Sequence, residues 1–200
     1  MKLRTDQSLI AKWIKNNARV LDLGCGDGAL LANLQQEQNV SGYGIEIDEK
    51  NIISCLENGV NVIQTDLDAG LSQFDSNTFD YVIMTQTLQA IYYPEKLLTE
   101  MTRVGQEAIV TFPNMAHWKC RIQMALGGHM PKSKTLPYEW HNTPNIHLCS
   151  LDDFENLCAE KNIEILERTT VDHAHQINLG MSILPNLLGE VAIYRFRSDA

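Results

Sequence analysis

Two hundred residues, 44% of them apolar, carry 16 Lys and Arg against 25 Asp and Glu, a formal net charge of −9. That length suits one domain with a substantial core. An acidic chain without a basic run is a poor fit to a nucleic-acid backbone or an anionic membrane surface, and no apolar run approaches the roughly 18 residues of a membrane span. The five cysteines are widely spaced, with no C-x-x-C pair. No hydrophobic stretch follows Met1-Lys2-Leu3-Arg4, so the expectation is a cytoplasmic protein with reduced thiols.

Thr5 or Asp6 reads as the N-cap of a helix whose Leu9, Ile10, Trp13 and Ile14 share one face. A buried strand follows at Arg19–Leu23, then the run Gly24-Cys25-Gly26-Asp27-Gly28 and a second helix carrying Leu30, Leu31 and Leu34. The glycines permit a sharp turn, close ligand approach and close helix–strand packing. Such a turn is expected to leave helix N-terminal N–H groups facing a ligand.

Gly24, Gly26 and Ala29 satisfy the dinucleotide fingerprint G-x-G-x-x-G/A, a weak signal by itself. The run Leu21–Gly28 also resembles the S-adenosylmethionine loop of class I methyltransferases. Asp22 favours that second reading. A carboxylate before the first glycine repels a pyrophosphate but suits an ammonium or sulfonium. In that family the acid sits near the amino-acid end of the ligand.

A strand at Ser41–Ile47 places Glu46 22 residues after Gly24, where an acid can accept two hydrogen bonds from a ribose diol. Asp48 reads as the cap of the helix Glu49–Glu57. After the strand Val60–Thr65, Asp66 is placed to receive an exocyclic adenine amine, with Leu67 covering the ring; a turn-capping role is the plainer alternative for Asp66. Phe79–Met84 is a fourth strand whose end, Thr85–Gln89, overlooks the cleft. Gln86 there either touches the ligand or satisfies local backbone. The Asn/Asp-Pro-Pro-aromatic motif of amino-group methyltransferases is absent, which argues against nucleic-acid bases and glutamine side chains as acceptors.

The helix Pro94–Val104 and the strand Ala108–Phe112 continue an alternation that specifies a parallel sheet covered on both faces. The stretch of about 115–150 breaks this rhythm. Trp118, Ile122 and Leu126 form a helical stripe, and a long irregular segment follows. Such a stretch is a lid or a partner-binding element, or else a helix and loop packed on the sheet. Ser150 then opens a helix, and strands at Ile163–Val171 and Val191–Arg197 end the pattern, the last one antiparallel. The apolar run Ile177–Leu188 between them must cover the sheet, meet a partner or line the cleft.

Neither His141, His147 and Cys149 nor His173 and His175 match a zinc spacing, so no metal site is assigned. No residue is marked as a catalytic base or nucleophile. The ligand-binding candidates are Asp22, Gly24, Cys25, Gly26, Gly28, Glu46, Ile47, Asp66, Leu67 and Gln86. The fold class expected is α/β: a three-layer sandwich with a mostly parallel seven-stranded sheet and an antiparallel last strand, Rossmann-like, in one domain over 1–200.

Across residues 3–198 the chain resembles the methionine biosynthesis protein MetW family. The distinguishing matches are Phe112-Pro113-Asn114, Met130-Pro131, Leu136–Trp140, Thr143–Cys149 and Asp153–Cys158. The resemblance implies S-adenosylmethionine (or S-adenosylhomocysteine) as ligand and a MetX-type homoserine O-acyltransferase as partner. That acylation contains no methyl transfer, so two expectations stand side by side. One is an accessory subunit whose pocket senses the end product. The other is an active methyltransferase on a small acceptor. On the first, charge or bulk at Trp118 or Leu187 should weaken partner binding more than ligand binding.

Overall fold

The computed structural model describes residues 3–172 and 183–199. His173, His175 and the first half of the Ile177–Leu188 run lie outside them. The elements in order are α1 (Thr5–Trp13), β1 (Arg19–Leu23), α2 (Ala29–Gln38), β2 (Ser41–Glu46), α3 (Glu49–Glu57), β3 (Val62–Gln64), β4 (Phe79–Thr85), α4 (Pro94–Val104), β5 (Gly105–Pro113), α5 (Trp118–Gly127), α6 (Leu151–Glu160), β6 (Ile163–Val171), α7 (Pro185–Leu188) and β7 (Val191–Ser198). Short 3-10 turns at Leu67–Ala69 and Leu88–Ala90 follow β3 and β4.

The seven strands form one sheet in the order β3-β2-β1-β4-β5-β7-β6. The pairs β2–β3, β1–β2, β1–β4 and β4–β5 are parallel, and β7 runs antiparallel to both its neighbours. This is the expected seven-stranded α/β arrangement with an antiparallel last strand. Chain order reverses between β1 and β4, the switch point at which open α/β sheets bind ligands.

Strand alternation divides the interior in two. Leu21, Leu23, Val82, Met84, Val110 and Phe112 face α4 and α6, where Leu98, Met101, Phe154 and Cys158 join them. Val20, Ile83, Ile109 and Ile193 face the other way, against Ile10 of α1, Ile14 at its C-cap and Leu30, Leu31 and Leu34 of α2. Asp22, two residues after Val20, shares that second face.

The caps expected at Asp48 and Ser150 are present. Asp48 Oδ1 accepts the N–H groups of Lys50 and Asn51 at 2.9 and 3.1 Å. Ser150 Oγ accepts from Asp153 N at 3.1 Å, and Asp153 Oδ2 accepts from Ser150 N at 2.9 Å. The first helix begins one or two residues earlier than the expected cap at Thr5 or Asp6, with Arg4 as its N-cap and Gln7 Oε1 accepting the Arg4 N–H at 3.1 Å. Asp6 does not cap because its carboxylate is buried and paired with the Arg4 guanidinium at 3.1 and 3.2 Å.

Helix α5 buries only Cys120 among its residues. The segment 128–149 after it contains neither helix nor strand. Reciprocal 3.0 Å hydrogen bonds between Gln123 and the Lys132 backbone tie the start of the segment to α5. The Gln89 carbonyl accepts from the N–H groups of Ile146 and His147 at 2.8 and 3.0 Å and holds its end.

Candidate functional site

The first βα turn is shaped by side-chain exclusion. Gly24 has φ +64°, and a Cβ there would lie 2.6 Å from Thr87 Oγ1, so only bare backbone lets the β1 and β4 ends approach. Gly26 has φ +58°, and a Cβ there would meet nothing within 4 Å. Its backbone therefore borders open space. Gly28, at φ +75°, is the N-cap of α2.

Four backbone amides of the turn and the start of α2 are engaged within the protein. Cys25 N donates to Ile45 O at 3.0 Å, Gly28 N to Cys25 O at 3.0 Å, Gly26 N to Glu46 Oε2 at 2.8 Å and Ala29 N to Asp27 Oδ1 at 3.1 Å. A pyrophosphate cradle needs such donors. Here the amides of Cys25, Gly26, Gly28 and Ala29 are matched with acceptors, two of which are carboxylates.

Asp22 lies beneath this turn. It is 1% exposed, and its Oδ1 has no hydrogen-bond partner among the described residues. Burial pushes its carboxyl up to about 7; the Arg4 guanidinium opposes that rise and Glu46 adds to it. A buried carboxylate oxygen without a donor is costly. An ammonium donor would satisfy it; an anionic ligand would not.

A cleft of about 290 Å³ opens beside the turn. Gly24, Glu46, Ile47, Asp66, Leu67 and Gln86 line it, together with Thr65, Asp68, Thr87, Ala90 and Ile91. Six of the ten sequence candidates thus meet in one crevice, with Asp22, Gly26 and Gly28 in the adjoining β1 end and turn. Cys25 departs from its expected place. Its thiol turns to Cys55, with Sγ atoms 3.6 Å apart, and burial pushes both thiols up. It packs beneath the loop, where a Cβ on Gly44 would come 2.4 Å from its sulfur.

Glu46 is held more fully than a ribose acceptor requires. Oε2 takes the Gly26 N–H, and Oε1 takes those of Ile47 and Asp48 at 2.9 and 3.0 Å. About one of a carboxylate's four acceptor positions is left. Asp66 takes the capping role, its Oδ1 accepting from Asp68 N at 2.9 Å, and the residue also lines the cleft. Gln86 adopts a left-handed backbone at φ +56°. Its N–H donates to Thr111 O and Oγ1, both at 3.0 Å, and its carbonyl accepts from Gln89 Nε2 at 2.8 Å. Strained non-glycine residues of this kind concentrate at functional sites.

Sequence reasoning missed Arg4, whose charge reaches Asp22 from the start of α1. It also missed the polar group beyond β5. Asn114 Nδ2 donates to Asn186 O and Gly189 O at 2.9 and 2.8 Å, and Lys119 Nζ lies 3.2 Å from Glu190 Oε1. Partners 72 and 75 residues apart leave no local pattern to read. Among the described residues no group of three or more His, Cys, Asp or Glu is placed to hold a metal. None of their helices is long and apolar enough to cross a membrane.

Solved structures share the architecture at low identity. An S-adenosylmethionine-dependent methyltransferase from Mesorhizobium loti superposes with TM-score 0.69 at 13% identity, over 96% of this chain and 97% of that one. The cyclase SpnF does so with TM-score 0.67 at 15% identity, over 96% and 80%. In sequence, the bifunctional methionine biosynthesis protein MetXA/MetW of Rhodopirellula baltica is 35% identical over 208 residues, covering 98% of this chain. The chain spans only 33% of that relative's length. The family model for methionine biosynthesis protein MetW matches residues 4–196. Glycine turn, acids at three strand ends and interrupted segment thus all fall within one matched span, and the chain belongs to the MetW family.

Proposed function

We propose that this chain is a cytoplasmic S-adenosylmethionine-binding subunit that docks on a MetX-type homoserine O-acyltransferase and reports the ligand's level to it. The ligand reading is carried by the unpartnered Asp22 oxygen beneath the glycine turn. In that setting Asp22 holds the amino-acid ammonium. Glu46 offers its remaining acceptor position to a ribose hydroxyl, and Asp66 faces the base beside Leu67. Adenosylmethionine, when bound, supplies an activated methyl group, and methionine is its precursor. The partner is supported by the bifunctional relative, which carries MetXA and MetW in a single chain.

A second reading, methyl transfer to a small acceptor, is favoured by the methyltransferases among the structural neighbours. Donor activation lies in the ligand, so positioning alone gives rate and no base is required. The same fold in a protein described as a cyclase shows that fold does not fix the chemistry. Calorimetry with adenosylmethionine, then acyltransferase assays with and without this chain, separates the two. Ligand-dependent stimulation that disappears in Glu46→Ala supports sensing. Stimulation that survives the variant counts against sensing, and methyl transfer to a metabolite pool favours the second reading.

A further inference from the structure

Helix α5 and the segment after it present an apolar surface that none of the described residues covers. Trp118, Ile122 and Leu126, spaced four residues apart, are 41, 48 and 84% exposed. Met130, Tyr138 and Trp140 are 47, 49 and 76% exposed and gather at one shallow cleft. The Gln123–Lys132 clamp fixes the segment beside α5. A helix of this kind ordinarily turns such a stripe toward the core, yet α5 buries only Cys120. Aromatic and Met side chains of this sort form the centres of protein interfaces.

Charge distinguishes the same region. Residues 115–149 carry Lys119, Arg121, Lys132 and Lys134 against Glu139, within a chain of net charge −9; Lys132 pairs with Glu139 and Lys119 with Glu190, which leaves Arg121 and Lys134 as the charges this region adds to the face. A basic rim around an apolar centre fits a partner with acidic residues around its own apolar patch. A second copy fits poorly, because a two-fold contact through this face would set basic rim against basic rim.

We infer that the exposed face of α5 and the 128–149 segment is where the acyltransferase docks, through an acidic-rimmed apolar patch. This rests on the partnership proposed above, and the curated relative supplies the occupant, since two thirds of its length lies outside the part matched here.

The test uses the full chain and a separately purified MetX-type acyltransferase. Complex formation is measured by calorimetry and sedimentation, with adenosylmethionine binding measured in parallel. Leu126→Glu with Trp140→Glu is expected to weaken the complex at least tenfold and leave ligand affinity within twofold. Ile53→Glu, at a 57% exposed apolar position on α3, is the control and should change neither. Lys132→Glu with Lys134→Glu should weaken the complex and flatten its salt dependence. A complex unaffected by the Leu126/Trp140 pair overturns the docking face while the partnership stands. Absence of any complex with the unaltered chain overturns the partnership itself, and the docking face with it. Self-association, or binding to anionic vesicles, that the Leu126/Trp140 pair abolishes while the acyltransferase complex persists assigns the face to another occupant and also overturns the inference.

Discussion

Asp22 has two states to choose between, and pH sets the choice. Its folded carboxyl titrates at about 7 against an ordinary value of 3.8. The folded chain therefore holds a proton that the unfolded chain has released, and stability falls as pH rises from about 4 through 7. Asp22→Asn removes that loss. At pH 8 the ligand-free variant is expected to melt at a higher temperature than the parent, with a stability gain of no more than about 4 kcal/mol that closes toward pH 4. Adenosylmethionine affinity should fall at least tenfold in the same variant. A pH series of melting curves with calorimetry checks both, and equal melting at pH 8 would refute the account of Asp22. Gly24 gives a second residue-scale prediction. Gly24→Ala meets Thr87 at a left-handed φ and is expected to cost about 1–3 kcal/mol in urea unfolding. Gly26→Ala, with open space before it, should cost less.

The elements differ in how firmly they are held. Helix α6 sets Leu151, Phe154 and Cys158 into the core and begins with a reciprocal Ser150–Asp153 cap. Ser150→Ala is expected to lower stability by about 1 kcal/mol, read from denaturant midpoints at unchanged slope. The 128–149 segment is tied to the body by the Gln123–Lys132 hydrogen bonds, by buried Leu136 and by Ile146 and His147 on the Gln89 carbonyl, and is otherwise irregular. Exposed Lys132 and Lys134 lie in its irregular part, so trypsin should cut there first in the free chain. Protection of those two sites when the acyltransferase is added would support docking on α5, and cutting at an unchanged rate would oppose it.

For the whole molecule, ligand binding and stability are linked. Adenosylmethionine at one hundred times its dissociation constant should stabilise the fold by about 2.7 kcal/mol. Nicotinamide dinucleotides should give no shift, because the carboxylates of Asp22 and Glu46 at the turn oppose a pyrophosphate. A clear shift with a dinucleotide would return the other reading of the glycine turn. Much of this was legible in the chain. Alternating apolar strands and helices dictated a covered parallel sheet, and glycines and acids at strand ends marked its ligand edge, because side-chain period and backbone freedom are local properties. Tertiary structure alone decided which polar groups remain available. Glu46 meets Gly26 only because parallel pairing brings the β2 end beside the first turn. Cys25 turns away only because Cys55 arrives from α3. The stripe on α5 carries the same spacing whether it faces a core or solvent, so only the assembled fold showed that it faces outward.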